Sequence, residues 1–208
     1  MPFPRMFDLF IAGGPVMWPL LATSLVAIAV VVERFLFILA EKSKRDPDAV
    51  EAVLTAAEVG NLEQARQLAE KSRDFVVRAI GFALRHDHGS FSNAILWGAR
   101  RELRRFSRGL PALDTIVTLA PLLGLLGTVT GMIRAFGLLG NQTLDTPAAI
   151  TGGIAQALIA TAFGLGIAIT ALIPFNYLTT QLENAREDIE EAATRLELTL
   201  QVPPQPSK

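Results

Sequence analysis

The chain has 208 residues, of which 50% are hydrophobic, and its 19 basic and 20 acidic side chains leave a formal net charge of −1. It contains no cysteine, which excludes a disulfide framework and a thiolate metal site. This composition suits either a soluble domain with a large core or a small membrane protein, and the distribution of charge along the chain separates the two.

Three stretches carry no Asp, Glu, Lys or Arg: residues 9–32, 115–133 and 146–182. Each is long enough for a helix to cross the hydrocarbon core of a bilayer, which takes about 20 residues. Helices of a soluble protein need a polar face, so a soluble protein rarely contains three such stretches. The sequence therefore predicts an all-α integral membrane protein with three transmembrane helices, a cytoplasmic helical region and long helices that extend into the cytoplasm.

In chain order, residues 1–15 are predicted to form a short periplasmic or interfacial segment, in which prolines and Gly13-Gly14 break regular structure. The first transmembrane helix follows at 16–39. It is rich in bulky aliphatic residues and poor in small ones. That composition is typical of a helix on the lipid-facing side of a bundle.

Residues 40–113 return to the patterning of soluble helices and predict a cytoplasmic helical loop. Asp46-Pro47 favours a helix start, because Asp caps free amides and Pro fits the first turn. Further short helices are predicted over 62–71 and 75–84. The run His86-Asp87-His88-Gly89 offers metal ligands, but its alternation and its glycine favour a solvated turn, so no metal is expected.

A helix predicted over 90–108 carries five arginines close together. They could bind nucleic acid or a specific phosphoinositide-like ligand, or they could form a solvated face that anchors to the headgroups of anionic membrane lipids. Their position next to a transmembrane helix favours lipid anchoring. Membrane lipids are therefore expected as partners and nucleic acid is not. The residues of this lipid-anchoring basic face are Arg100, Arg101, Arg104, Arg105 and Arg108.

The second transmembrane helix is predicted over 114–136, a short periplasmic loop over 137–146 and the third transmembrane helix over 147–177. A cytoplasmic amphipathic helix over 178–201 and a disordered tail over 202–208 complete the chain. Small residues recur at steps of three or four in both spans, and in lipid such residues let helix backbones approach closely. The residues assigned to helix packing on this basis are Gly124, Gly127, Gly131, Gly153, Ala157 and Gly164.

Basic residues predict the orientation in the membrane. Residues 33–113 hold 14 of the 19 basic side chains and 11 of the 20 acidic ones, so the positive-inside rule places this segment in the cytoplasm. The N-terminus is then periplasmic and the C-terminus cytoplasmic.

Three polar side chains, Thr128, Gln156 and Thr161, fall at similar depth on the second and third transmembrane helices. Each could simply join two helices by a hydrogen bond, but together they favour a polar-lined ion pathway. No catalytic constellation is visible, so neither enzymatic activity nor a cofactor is expected. Moving protons through a membrane usually needs a titratable group, and the three charge-free stretches hold no carboxylate. For a proton pathway, that group would come from another polypeptide.

The run APLLGLLGTVTGM at 120–132 and the run GIAQALIATAFGLGIAITALIPFN at 153–176 resemble the paired signatures of the MotA/TolQ/ExbB proton-channel family, closest to its ExbB and TolQ branch. The order of spans and the cytoplasmic loop resemble that family too, so the likeness covers nearly the whole chain.

The resemblance implies a homopentamer in the bacterial inner membrane around a single-span partner of the ExbD/TolR kind, and work passed on to a TonB- or TolA-like protein. It makes Thr128 and Thr161 pore residues and Pro121 and Pro174 bend-forming prolines. Gln156 departs from the pattern, because many members have a titratable Glu there. A non-conducting scaffold of the same architecture therefore stays an alternative, and the envelope system and the choice of proton or sodium stay open.

Overall fold

The computed structural model describes residues 3–85, 91–137 and 147–201, and the regular secondary structure within these ranges is α-helix. Three of the helices, α2, α7 and α8, are long and apolar enough to cross a membrane. The predicted all-α membrane fold with three spans is confirmed. In chain order the helices are α1 (Phe3–Ala12), α2 (Met17–Lys42), α3 (Pro47–Glu58), α4 (Leu62–Lys71), α5 (Phe75–Arg85), α6 (Phe91–Ser107), α7 (Leu110–Gly137) and α8 (Pro147–Gln201).

The chain forms two compact units, and the boundaries between them fall inside α2 and α8 and between α6 and α7. The first unit comprises residues 1–33 and 109–176. At its centre Met17 and Leu20 of α2 are buried against α7 and α8. The ring of Phe10 in α1 stands edge-on to Trp18, with the ring centroids 5.4 Å apart.

The second unit comprises residues 34–108 and 177–208. Here α3 packs on α4, α4 on α5 and α5 on α6. The later part of α8 contributes Ile189 and Leu196 to this core, where each is about 1% exposed. Asp46 caps α3 by accepting a hydrogen bond from the amide of Ala49, as the sequence predicted, and Asn61 caps α4 in the same way.

The N-terminal segment differs from expectation. Residues 3–12 form helix α1, although the prolines and glycines of residues 1–15 predicted irregular structure. Pro4 lies in the first turn, where a missing amide hydrogen costs no helical hydrogen bond, and Gly13-Gly14 follows the end of the helix. The prediction was wrong because it ignored where within a helix these residues are tolerated.

The long helices extend beyond the predicted spans. Helix α7 begins at Leu110 rather than 114, directly after Gly109, whose positive φ of 82° separates it from α6. Helix α8 continues through 177 to Gln201 without interruption. The predicted turn at 86–89, most of the loop at 137–146 and the tail at 202–208 lie outside the described residues.

Candidate functional site in the membrane-spanning helices

Helices α7 and α8 run antiparallel and touch along their small residues. A β-carbon added at Gly164 would lie 2.6 Å from the carbonyl oxygen of Ala120, and one added at Gly131 would lie 2.8 Å from the β-carbon of Ala157. Both distances are well below van der Waals contact, so the two backbones approach too closely for a side chain at either glycine. We call this contact the α7–α8 seam.

The α7–α8 seam contains the small residues that the sequence assigned to helix packing. Along α7 its residues are Ala120, Gly124, Gly127, Gly131 and Ala135, and along α8 they are Gly153, Ala157, Ala160, Thr161 and Gly164. Pro121 and Pro174 lie inside α7 and α8, and both helices continue through them. Because proline has no amide hydrogen, the carbonyls of Val117 and Thr170 lose their usual helical donors.

The side chain of Thr161 lies in the seam. Its hydroxyl donates a hydrogen bond to the carbonyl oxygen of Gly124 on the other helix, at 2.9 Å. Thr170, nine residues further along α8, instead donates to Gly166 of its own helix at 2.7 Å. Thr161 is therefore a polar link between the two spans as well as a candidate pathway residue.

Gln156 lies against the turn between α1 and α2. A β-carbon at Gly14 would overlap the side-chain amide of Gln156, and Gly14 has a positive φ of 76°. Glycine is thus required at position 14 for two reasons: the backbone there has a positive φ, and the amide of Gln156 leaves no room for a β-carbon. This contact was not visible in the sequence, where Gly13-Gly14 indicated only a break.

Thr128 lies next to the seam on α7. Its hydroxyl donates to the carbonyl of Leu125, one turn back, at 2.6 Å. It borders a shallow apolar hollow with Val129, Met132 and Ile133. Among the described residues no hydrogen bond joins any two of Thr128, Gln156 and Thr161, so within one copy the three lie on the same helix pair without forming one network.

Comparison with known proteins identifies the family of the chain. Residues 61–191 match the sequence profile of the MotA/TolQ/ExbB proton channel family, a stretch that contains the whole seam. The chain belongs to the MotA/TolQ/ExbB family. It is 40% identical to ExbB-like protein 1 of Synechocystis sp. over 94% of this chain and 79% of that protein. It is 28% identical to the biopolymer transport protein exbB1 of Vibrio cholerae over 90% and 85% of the two chains.

A second named branch of the MotA/TolQ/ExbB family matches a shorter stretch. The Tol-Pal system protein TolQ of Haemophilus influenzae is 38% identical over 42% of this chain and 39% of that protein. The likeness to the Synechocystis and Vibrio proteins therefore runs along nearly the whole chain, whereas the likeness to this TolQ is local.

The five arginines of the basic face lie on α6 and on the residue after it, and they differ in their contacts. The side chains of Arg100, Arg101, Arg104 and Arg108 are exposed. Arg105 is exposed as well, but it is bound to Glu102 at 2.8 Å and lies 3.6 Å from Glu41. The structure therefore places Arg105 in an ion-pair cluster, and the lipid-anchoring role of all five arginines stays a prediction.

That cluster is centred on two buried carboxylates, Glu41 and Glu102, and Arg78 binds both of them. Burial by itself would raise the pKa of Glu102, but hydrogen bonds from Arg78 and Arg105 outweigh it and hold that pKa below its ordinary value. Sequence reasoning did not find this cluster. A signal was present, since Glu102 is the only acidic residue in the arginine-rich part of α6.

Asp74 is a second buried charge that sequence reasoning missed. It is fully buried before α5 and accepts hydrogen bonds at 2.7 Å each from the amides of Asp46 and Val76 and from the guanidinium of Arg45. Arg45 also binds Asp188 of α8 at 2.9 Å. The sequence did contain a signal for Asp74, because this residue directly precedes the helix start predicted at Phe75 and so occupies the position of a helix cap.

Proposed function

We propose that this chain is the ring-forming subunit of a proton-driven motor in the bacterial inner membrane. In this proposal several copies, five by family resemblance, surround a single-span partner of the ExbD/TolR kind. Ion flow between ring and partner drives motion that a TonB- or TolA-like protein carries to the outer membrane or envelope. Membership of a proton channel family and the named ExbB and TolQ relatives support the general role.

The observation that carries the proposal is the uncharged α7–α8 pair. Its small-residue seam is nearly continuous, and the two spans contain hydroxyl groups but no carboxylate or amine over residues 115–133 and 146–182. A proton pathway along such a pair needs a titratable group from outside the chain. A single-span partner with an intramembrane Asp supplies that group.

The outward faces of the spans support assembly with other helices. Large apolar side chains remain exposed on the described chain along all three spans, for example Leu25 of α2 at 58%, Ile133 of α7 at 66% and Ile169 of α8 at 62%. In a membrane such faces contact lipid or the spans of other subunits. One copy of the chain thus leaves apolar surface that lipid and the spans of other subunits can contact.

Orientation is part of the proposal: the N-terminus is periplasmic, and residues 40–113 and the C-terminus are cytoplasmic. The chain lacks cysteine, so a single introduced cysteine reports its own side of the membrane. We expect a membrane-impermeant thiol reagent to label Thr143→Cys in intact spheroplasts and to label Glu63→Cys only after lysis. The reverse pattern would overturn this orientation.

The decisive experiment is native mass spectrometry after co-expression with a single-span protein that has an intramembrane Asp. A complex of several copies with the partner is the expected result and would justify measuring proton flux in vesicles. Replacing Thr161 by Val should then reduce flux while the mass of the complex stays the same. A monomer that ignores the partner would overturn the proposal.

A second candidate is a scaffold of the same architecture that does not conduct, and Gln156 is the reason to keep it. Its amide packs on Gly14 within one copy, and it cannot titrate in the physiological range. Gln156→Glu separates the candidates. If position 156 is part of an ion pathway, the variant changes the pH dependence of proton flux. If both the wild type and the variant bind the partner but neither shows uncoupler-sensitive activity, the scaffold is favoured.

A further inference from the structure

The second unit carries two exposed stripes of opposite charge on different helices. On α6 and the residue after it, a basic stripe comprises Trp97, Arg101, Arg104 and Arg108. On α8 an acidic stripe comprises Glu183, Glu187, Glu191 and Leu198. Steps of three, four or seven residues keep each set on one side of its helix. Each stripe ends in a large apolar side chain, since Trp97 is 67% exposed and Leu198 is 61% exposed.

Each stripe places like charges close together on one helix, and within a single copy the acidic stripe has a nearby counter-charge, since Arg186 is attracted to Glu183. Like charges three or four residues apart on a helix repel each other. The ion pairs that the structure contains over its described ranges do not include the side chains of Arg101, Arg104, Arg108, Glu187 or Glu191. A partner that presents the opposite charge to either stripe would relieve this repulsion.

The order of residues along the two stripes matches. Ser92 near the start of α6 donates a hydrogen bond to Glu197 of α8, while Ser107 at the other end lines the same groove as Glu183. Trp97 and Leu198 therefore lie toward one end of the unit, and the charged residues follow toward the other. The stripes are also comparable in length, at about 16 Å and 22 Å from a rise of about 1.5 Å per residue.

We propose that the basic stripe of one copy docks on the acidic stripe of a second copy. The two stripes lie on different helices and border the same groove through Arg104 and Glu183, so the contact between copies is head-to-tail. Repeating such a contact gives a ring where the rotation between copies closes. Arg104 then lies opposite Glu187 and Arg101 opposite Glu191, with Trp97 and Leu198 toward the same end of the contact. An exposed Trp flanked by charges is typical of residues that dominate protein interfaces. The inference rests on the proposed ring and names the cytoplasmic surfaces that join its subunits.

Disulfide cross-linking tests the contact directly, because the natural chain has no cysteine. In the variant R104C/E187C, mild oxidation in native membranes should give a ladder of dimers and larger species on a non-reducing gel. Either single variant should give no species beyond a dimer. The pair K71C/E187C is the matched control, since Lys71 is exposed on α4 outside both stripes, and it should give no ladder.

Charge reversal shows whether electrostatic pairing orients the contact. In the R104C/E187C background, R101E should reduce the cross-linking yield and the further change E191R should restore it. A yield that does not respond to either change would overturn charge pairing. If the ladder is absent and R101E instead lowers the number of anionic lipids retained in native mass spectra, the arginines bind lipid and the inference is wrong.

The native mass of the same sample separates this inference from the proposed function. A missing ladder in a protein that is still oligomeric means that copies meet through other surfaces, and only the stripe contact is overturned. A missing ladder in a monomeric protein removes the ring and the stripe contact together.

Discussion

The hydroxyl of Thr161 on α8 donates a hydrogen bond to the carbonyl oxygen of Gly124 on α7, at 2.9 Å. Replacing Thr161 by Val keeps the shape of the side chain and removes only this bond. We expect a loss of about 0.6–2 kcal/mol in the stability of the helix pair, the range measured for hydrogen bonds between membrane helices. Thermal unfolding of the purified protein in detergent measures it.

Thr170→Val is the matched control for that experiment. Its hydroxyl bonds within its own helix, to Gly166, so its removal breaks no contact between spans. Equal destabilisation by the two variants would contradict a bridging role for Thr161.

Two glycines two residues apart on α8 test the seam. At Gly164 an added methyl group meets the Ala120 carbonyl oxygen at 2.6 Å and the Gly124 α-carbon at 3.0 Å, whereas at Gly166 nothing lies within 4 Å. Gly164→Ala should therefore destabilise the protein by about 1–3 kcal/mol through overpacking. Gly166→Ala gains the same helix propensity without the clash, so it should be neutral or stabilising. An equal fall in the melting temperatures of Gly164→Ala and Gly166→Ala would contradict close backbone contact at the α7–α8 seam.

Asp74 should be among the costliest polar residues to replace in the second unit. Asp74→Asn removes the charge that pairs with Arg45 and weakens the bonds to two amides, all in a fully buried position. We expect a loss of about 3–5 kcal/mol. Asp188→Asn removes the exposed partner of the same arginine and should cost at most about 1 kcal/mol. Chemical denaturation followed by circular dichroism compares the two variants.

Acid should weaken the second unit through Glu102. Its pKa in the folded protein is held below the ordinary value of 4.5 by Arg78 and Arg105. A carboxylate of this kind contributes stability that is fully present above the unfolded pKa and is lost as the pH falls through the folded pKa. We expect the melting temperature to fall as the pH drops below about 4.5, and Glu102→Gln to lower it at pH 7 while making its acid dependence less steep.

Glu63→Gln, an exposed carboxylate of α4, is the control for the acid experiment. It should change the melting temperature and its pH dependence only slightly, because an exposed carboxylate in the first turn of a helix contributes about 0.3–1 kcal/mol. The same acid profile in the wild type and in Glu102→Gln would show that the cluster does not control acid stability.

The spans were predictable because their signals are local. Charge-free length is enough to place α2, α7 and α8, and small residues at helical spacing indicated which faces of α7 and α8 could approach. The capped starts of α3 and α4 were also readable, since Asp46 and Asn61 act on amides three residues away.

The contacts that escaped prediction join residues far apart in sequence. Gly14 and Gln156 are separated by more than a hundred residues, and so are Arg45 and Asp188. Periodicity describes which face of a helix is apolar, but it does not say which residue of another helix lies opposite. The buried position of Glu102 was missed for the same reason, because within its own helix it resembles part of a charged, solvated surface.

The α7–α8 seam has a mechanical consequence. Where two helices touch through long side chains, they can shift against each other as those side chains change rotamer. Where the β-carbons of Ala157 and Ala160 and the α-carbons of Gly124 and Gly164 are themselves the contact surface, there are no rotamers to change. Sliding by a fraction of a turn would drive backbone into backbone, so α7 and α8 should move together as one rigid body. In an assembly built from this chain, functional motion is therefore expected between such helix pairs, or between the pairs and what they enclose, and not within a pair.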